Sequence, residues 1–155
     1  ALQSQHPHIP RLAFPEDKAS TDGDLAIEEA LQRGATRLVL VGALGGRRSD
    51  HAAHHQMKML ALAQRGIDVF LTSGDEEAWP LRQGRQALDL PNGTIFSVIA
   101  FETLKGLSLE GVRWPLDNAD VDFGSSLTVS NEVTGAFFFF FWTGRAAILA
   151  RPPVS

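Results

Sequence analysis

The chain contains no cysteine, which excludes disulfides, zinc–thiolate sites and thiol catalysis. It also lacks a long apolar run. A membrane span needs about 20 apolar residues, and the most apolar stretch, Ala136–Trp142, is far shorter and ends at Thr143, Gly144 and Arg145. It reads as a buried strand. No basic stripe is visible. Lys and Arg total 14 against 18 Asp and Glu, for a formal charge of −4 and a pI of about 5.7. That balance lacks the footprint of a nucleic-acid binder. Ala1–Pro15 has no basic start followed by an apolar stretch, so no targeting signal is read there. The first residue is not methionine, which points to a fragment, a processed chain or missing upstream sequence. Neither an internal repeat nor a low-complexity linker is present. These absences fit a cytoplasmic protein with no membrane or nucleic-acid partner.

What is present is ordinary for a folded protein. The 155 residues suffice for one domain or two small ones packed together. An apolar fraction of 44% argues against disorder.

Two halves have different rhythms. In the first, Ser20, Thr21 or Asp22 is placed to cap a helix from about Asp24 to Arg33, and Gly34 stands at its stop. Arg37–Ala43, a continuous apolar run, reads as a parallel strand covered on both faces. A Gly-rich loop, Gly42–Ser49, leads to a helix from about His51 to Arg65, closed by Gly66. Ile67–Thr72 is the next strand. This order implies an open α/β sheet. In the second half, short apolar runs recur at Ala78–Leu81, Gln86–Leu90, Thr94–Phe101, Leu107–Trp114, Val121–Phe123, Leu127–Ser130, Ala136–Trp142 and Ala146–Ala150. Gly, Pro, Asn and Asp punctuate them, as in Pro91-Asn92-Gly93 and Asp117-Asn118. Strands at this spacing predict an antiparallel sandwich or barrel. The boundary falls around residues 75–93.

Four segments carry candidate chemistry. Lys18–Asp24 precedes the first helix, where free N–H groups and acidic residues serve either as a cap or as a Mg²⁺ ligand. Gly42–His51 joins a strand end to a helix start. Its glycines and arginines suit a phosphate, although a simple tight turn has the same composition. His51, His54 and His55 fall at helical spacing behind Asp50, but no HExxH pattern accompanies them, and edge histidines are the plainer reading. Gly106–Leu116, with Trp114-Pro115, and Phe123–Glu132 place hydroxyls and an amide near an aromatic ring. That set suits a flat heteroaromatic ligand, or simply a strand with a polar edge.

Together the four segments resemble the thiamine pyrophosphokinase family. Phe14–Ala26 is similar to its P-x-K-D-x-T-D-x-x-x-A stretch, and Gly42–His51 to its G-A-x-G-G-R-x-D-H loop. Gly106–Leu116 resembles G-x-x-x-x-G-L-x-Y-P-L. Phe123–Glu132 resembles G-x-S-x-x-x-S-N-E, the most specific match. Order and spacing agree over Phe14–Leu149. The resemblance implies the last part of an ATP-binding, Rossmann-like α/β domain over residues 1–80. A thiamine-binding β-sandwich would follow over residues 81–155. It further implies a homodimer with active sites at the subunit interface, ATP and thiamine as substrates, and Mg²⁺ as cofactor. In that reaction the thiamine hydroxyl attacks the β-phosphorus of ATP, giving AMP and thiamine diphosphate.

By the same resemblance Asp22 is the metal-binding carboxylate and Thr21 its neighbour. Arg47 or Arg48 contacts phosphate beside Gly45 and Gly46, and Asp50 and His51 line the site. Thr128, Ser130 and Asn131 hold thiamine, with Trp114 either joining them or packing. Three departures stand out. Ala19 replaces a usual aspartate, with Asp17 or Asp24 as substitutes. The arginine loop has one extra residue, which leaves Arg47 and Arg48 equivalent. The family's G-D-x-D-S segment, which supplies two metal carboxylates, is not in this sequence, so the chain is expected to be inactive alone. The alternatives are a truncated or degenerate relative that binds thiamine or nucleotide without catalysis, and an enzyme of the same fold acting on another alcohol such as a pterin.

Overall fold

Thr21 begins the first helix because its side chain accepts a hydrogen bond from the Asp24 amide, while the Asp24 carboxylate reaches back to the Thr21 amide. This reciprocal pair satisfies two N–H groups that a helix start leaves open. The helix, α1, spans Asp22–Gln32, and a salt bridge from Arg33 to Glu29 lies across its last turn. The computed structural model describes residues 20–153. The expectations for Phe14–Ala19, Asp17 and Lys18 included, lie outside the described residues. The chain divides into two compact units, Ala1–Ala35 and Thr36–Ser155.

The second unit opens with β1 (Arg37–Val41), α2 (Ser49–Gln64) and β2 (Asp68–Thr72). Seven strands follow: β3 (Glu77–Leu81), β4 (Gln86–Leu88), β5 (Ile95–Ala100), β6 (Leu104–Val112), β7 (Leu116–Val121), β8 (Asn131–Phe140) and β9 (Ala146–Arg151). They form a mixed sheet in the order β1-β2-β3-β9-β5-β8-β6-β7, with β4 paired to β8 off this path. β1 and β2 run parallel, and all other pairs are antiparallel. Among the described residues no helix is long and apolar enough to cross a membrane.

β8 changes partners along its length. Asn131 and Glu132 pair with Phe96 and Ile95 of β5, and then Val133–Phe140 pair with β6. The inward positions of β8 and its extension, Val133, Phe137, Phe139 and Phe141, are almost fully buried. They pack in one cluster with Phe96 and Val98 of β5, Leu107 and Leu109 of β6 and Ile148 of β9. The Phe96 and Phe137 rings lie 4.7 Å apart. The aromatic run at residues 137–142 is therefore an alternation. Its outward members end in Trp142, which is exposed and packs edge-on against Phe140.

Three expectations need correction. β1 is not covered on both faces: Val39 is 48% and Val41 80% exposed. Val121–Phe123 and Leu127–Ser130 are not strands. In the first only Val121 belongs to β7, with Asp122 and Phe123 beyond its end, and the second is held in a turn by Val129 N donating to Ser126 O. β7 itself escaped the apolar pattern because its sequence, LDNADV, is polar. Among the described residues it borders β6 alone, and it keeps Asp117, Asn118 and Asp120 exposed. Asn118 takes a positive φ of 49° inside the strand, a conformation that asparagine tolerates better than most residues.

Candidate functional site

The loop after β1 is shaped by glycines in left-handed backbone, Gly42, Gly45 and Gly46 at φ 74°, 79° and 90°. A Cβ on Gly45 or Gly46 would meet nothing within 4 Å. Glycine serves there for conformation, not for space. The loop is pinned from two sides. Gly42 N donates to Thr72 O at 2.7 Å, and His55 Nδ1 lies 3.1 Å from Ala43 O. Ala43 and Leu44 are buried, whereas Gly45–His51 are exposed. The loop sits where β1 ends and α2 begins. That end of a parallel strand is the common ligand position in open α/β sheets, and a helix start favours anions.

The two arginines have different surroundings. Arg48, at the N-cap of α2, donates to Asp50 through Nε at 2.9 Å and Nη2 at 2.6 Å. These bonds hold the Asp50 carboxyl well below the usual carboxylate range. Desolvation opposes them, and the His51 amide and the Arg48 charge add smaller contributions in the same sense as the bonds. The same contacts push the Arg48 guanidinium up. Arg47 is exposed and makes no hydrogen bond or ion pair among the described residues. His51 is exposed, with its ring 6.3 Å from that of His55. The histidine run braces the loop through His55, a role that the i, i+3, i+4 spacing does not reveal.

At the start of α1, Asp22 is exposed in the first turn, and the Thr21 hydroxyl donates to Asp24 at 2.8 Å. Among the described residues no group of three His, Cys, Asp or Glu side chains comes together to hold a metal.

A second group lies between β6, β5 and β8. Trp114 follows β6 and is 54% exposed. Asn131, 5% exposed, accepts hydrogen bonds at Oδ1 from Trp114 N at 3.1 Å and Glu132 N at 2.8 Å. Its Nδ2 donates to Trp114 O at 2.8 Å. Thr128 is buried, and its hydroxyl donates to Val98 O at 2.6 Å. Ser130 is exposed at φ 63°, with its amide donating to Ser97 Oγ at 3.0 Å. A non-glycine residue at positive φ is strained and often functional. The structure thus joins Trp114 to Asn131 and anchors Thr128 and Ser130 on β5. Arg113 was missed by the sequence reading. Its guanidinium lies 5.0 Å from the Trp114 ring centroid and pairs with Glu132 at 3.1 Å.

Comparison with known proteins gives a consistent result. Residues 83–139 match the family described as thiamin pyrophosphokinase, vitamin B1 binding domain. A thiamine pyrophosphokinase of Bacillus subtilis (strain 168) is 28% identical over 131 residues, covering 81% of this chain and 61% of that protein. The crystal structure of a Bacillus subtilis thiamine pyrophosphokinase superposes with a TM-score of 0.79 at 26% identity, over 88% of this chain and 66% of that one. One from Geobacillus thermodenitrificans gives 0.80 at 25% identity, over 99% and 71%. The chain therefore spans about three fifths of the length of the curated relative it matches.

Proposed function

We propose, from its likeness to the thiamine pyrophosphokinases, that the chain is a member of that family and serves the transfer of pyrophosphate from ATP to thiamine. The thiamine hydroxyl oxygen forms a bond to the β-phosphorus of ATP. The bond from that phosphorus to the α,β-bridging oxygen breaks, AMP leaves, and the hydroxyl proton passes to solvent or a nearby base. Residues up to 80 would be the end of the ATP-binding α/β domain, since β1 and β2 are parallel and joined through α2. Residues 81–155 would be the thiamine-binding sandwich, which the transfer of β8 from β5 to β6 supports.

The single observation that carries the reading is the loop Gly42–His51. It presents left-handed glycines, a helix start and an Arg47 without an ion pair among the described residues on one exposed surface. A polyphosphate is the ligand class that uses all three. Arg47 is the phosphate contact, and Arg48 with Asp50 fixes the loop next to it, with His51 at its edge. On the other side Ser130 and Trp114 are the exposed members facing thiamine, and Thr128 and Asn131 support them. Mg²⁺, when bound, would neutralise charge on phosphate oxygens. Asp22, in the first turn of α1, is the carboxylate that the reading assigns to it, and Asp24 caps the same helix. The second reading is thiamine or nucleotide binding without turnover. Activity at the interface of a homodimer belongs to the same proposal.

Calorimetric titration of the chain with thiamine and with Mg-ATP, paired with an assay for AMP release, tests both readings. Binding with AMP formation supports the transferase, and binding alone supports the second reading. If neither ligand produces heat, both are wrong. A panel adding pterin alcohols separates thiamine from other acceptors.

A further inference from the structure

We infer that Asn131 acts on thiamine through Trp114, as a positioning residue that sets the indole and does not itself touch the ligand. The inference rests on the reading given above. In the motif the asparagine looks like a polar group for a heteroaromatic ring, but its amide is turned inward. Both lone pairs of Oδ1 are occupied, one by Trp114 N and one by Glu132 N. Nδ2 donates to Trp114 O. One side chain thus satisfies the amide and the carbonyl of the same residue, as a neighbouring strand would. With 5% of Asn131 exposed, little of its amide faces solvent.

A second set of contacts braces the same point from the other strand. Arg113 N donates to Glu132 O at 2.9 Å, and the Arg113 guanidinium bonds the Glu132 carboxylate while lying against the indole. Pro115 follows and restricts the backbone of Trp114 itself. The outcome is a large aromatic ring, 54% exposed, on a backbone gripped at both polar groups. A ring held this way loses less freedom when a flat ligand stacks on it. Its role is that of a preformed platform, and Asn131 is what preforms it.

The test is a double-mutant cycle read by thiamine titration of the full chain. Asn131→Ala should weaken thiamine binding roughly fivefold to tenfold, about the loss of a buried hydrogen bond. Trp114→Ala should weaken it at least as much. Adding Asn131→Ala to Trp114→Ala should then change nothing further, because the platform is already gone. Losses that multiply would show that Asn131 contacts thiamine directly and would overturn the inference. Hydrogen exchange of the Trp114 amide gives a readout independent of ligand. It should be slow in the unaltered chain and fast in Asn131→Ala; equal rates in both would overturn the clamp. If Asn131→Ala does not fold, Asn131→Asp keeps the acceptor oxygen but sets a second oxygen against Trp114 O, and the same non-additivity is expected. An unaltered chain that takes up no thiamine overturns the thiamine reading and this role with it, while the exchange rates still decide the clamp.

Discussion

At the scale of single residues, two adjacent arginines become chemically different because one carboxylate is within reach of one of them. Arg48 holds Asp50 by two hydrogen bonds, and Arg47 holds nothing among the described residues. Arg47→Ala is expected to weaken Mg-ATP binding on the order of tenfold, as loss of a charge-assisted contact does. Arg48→Ala, which removes an exposed pair, should weaken it by less than about threefold. Calorimetry on both variants decides the ranking, and the reverse order would assign the phosphate contact to Arg48. The pair also makes a pH prediction. The folded-state pKa of Asp50 is depressed, so an unfolded chain takes up its proton first as pH falls. Its contribution is complete above the ordinary aspartate value near 3.9 and is lost only as pH drops through the lower folded value. A carbon-13 titration should find Asp50 still ionised where other exposed aspartates are half protonated, and Arg48→Ala should return its midpoint to the common range. None of this was legible in the sequence. The Gly-Gly-Arg-Arg order marks the loop as a phosphate candidate, but the choice of Asp50 between two neighbours depends on the backbone turn at Arg48. Likewise, Ser-Asn-Glu marks a site without showing which way the amide points.

At the scale of elements, what could be read in advance followed the strength of the local signal. The two helices among the described residues were legible because their caps and stops are written in local chemistry, Thr21 with Asp24 at the start of α1 and Gly34 and Gly66 after the ends. Thr21→Ala should cost about 1 kcal/mol, seen as a lower urea midpoint for loss of helical circular dichroism. The strands were legible where apolar residues alternate or run together, as in β2, β5 and β9. β7 was not, because an edge strand needs no apolar face, and β6 was longer than expected because bulges interrupt its pattern. Gly111 marks one of these irregularities. It sits at φ 73°, and an added Cβ would fall 2.0 Å from Ala136 O of the paired strand. Gly84 has a similar positive φ of 92° with nothing within 4 Å. Gly84→Ala should therefore cost only the backbone strain, about 1 kcal/mol. Gly111→Ala should cost clearly more, because the strands must also separate. Denaturant unfolding of the two variants isolates the steric part, and equal losses would show that the β6–β8 ladder yields without cost.

At the scale of the whole second unit, the question is whether the α/β portion and the antiparallel portion melt together. The sequence placed the division at residue 80, at the end of β3, and β3 is the strand that both portions share. It meets β2 over only two residue pairs, Leu71 with Ala78 and Thr72 with Glu77, but meets β9 over five. The large apolar cluster draws its buried members from Leu81 onward. Upstream, the buried residues Leu38, Met59, Leu62, Val69 and Leu71 are a smaller set on β1, α2 and β2. Two poorly linked apolar groups should open separately, with the smaller one opening at lower free energy. Phe139, 1% exposed inside the larger cluster, provides the perturbation, since truncating a buried phenylalanine costs about 3–5 kcal/mol. In Phe139→Ala, native-state hydrogen exchange should quicken strongly for the amides of β5, β8 and β9. The amides of α2 and β2 should keep their rates, because they already exchange through a local opening that leaves Phe139 packed. If the α2 and β2 amides quicken by the same factor, the unit is one cooperative body and the division at residue 80 has no energetic meaning. If they do not, the Gly42–His51 loop rides on a portion that can loosen while the antiparallel portion stays folded. Mg-ATP should then slow exchange in α2 and β2 without changing β5 and β9, since a ligand stabilises only the states that bind it.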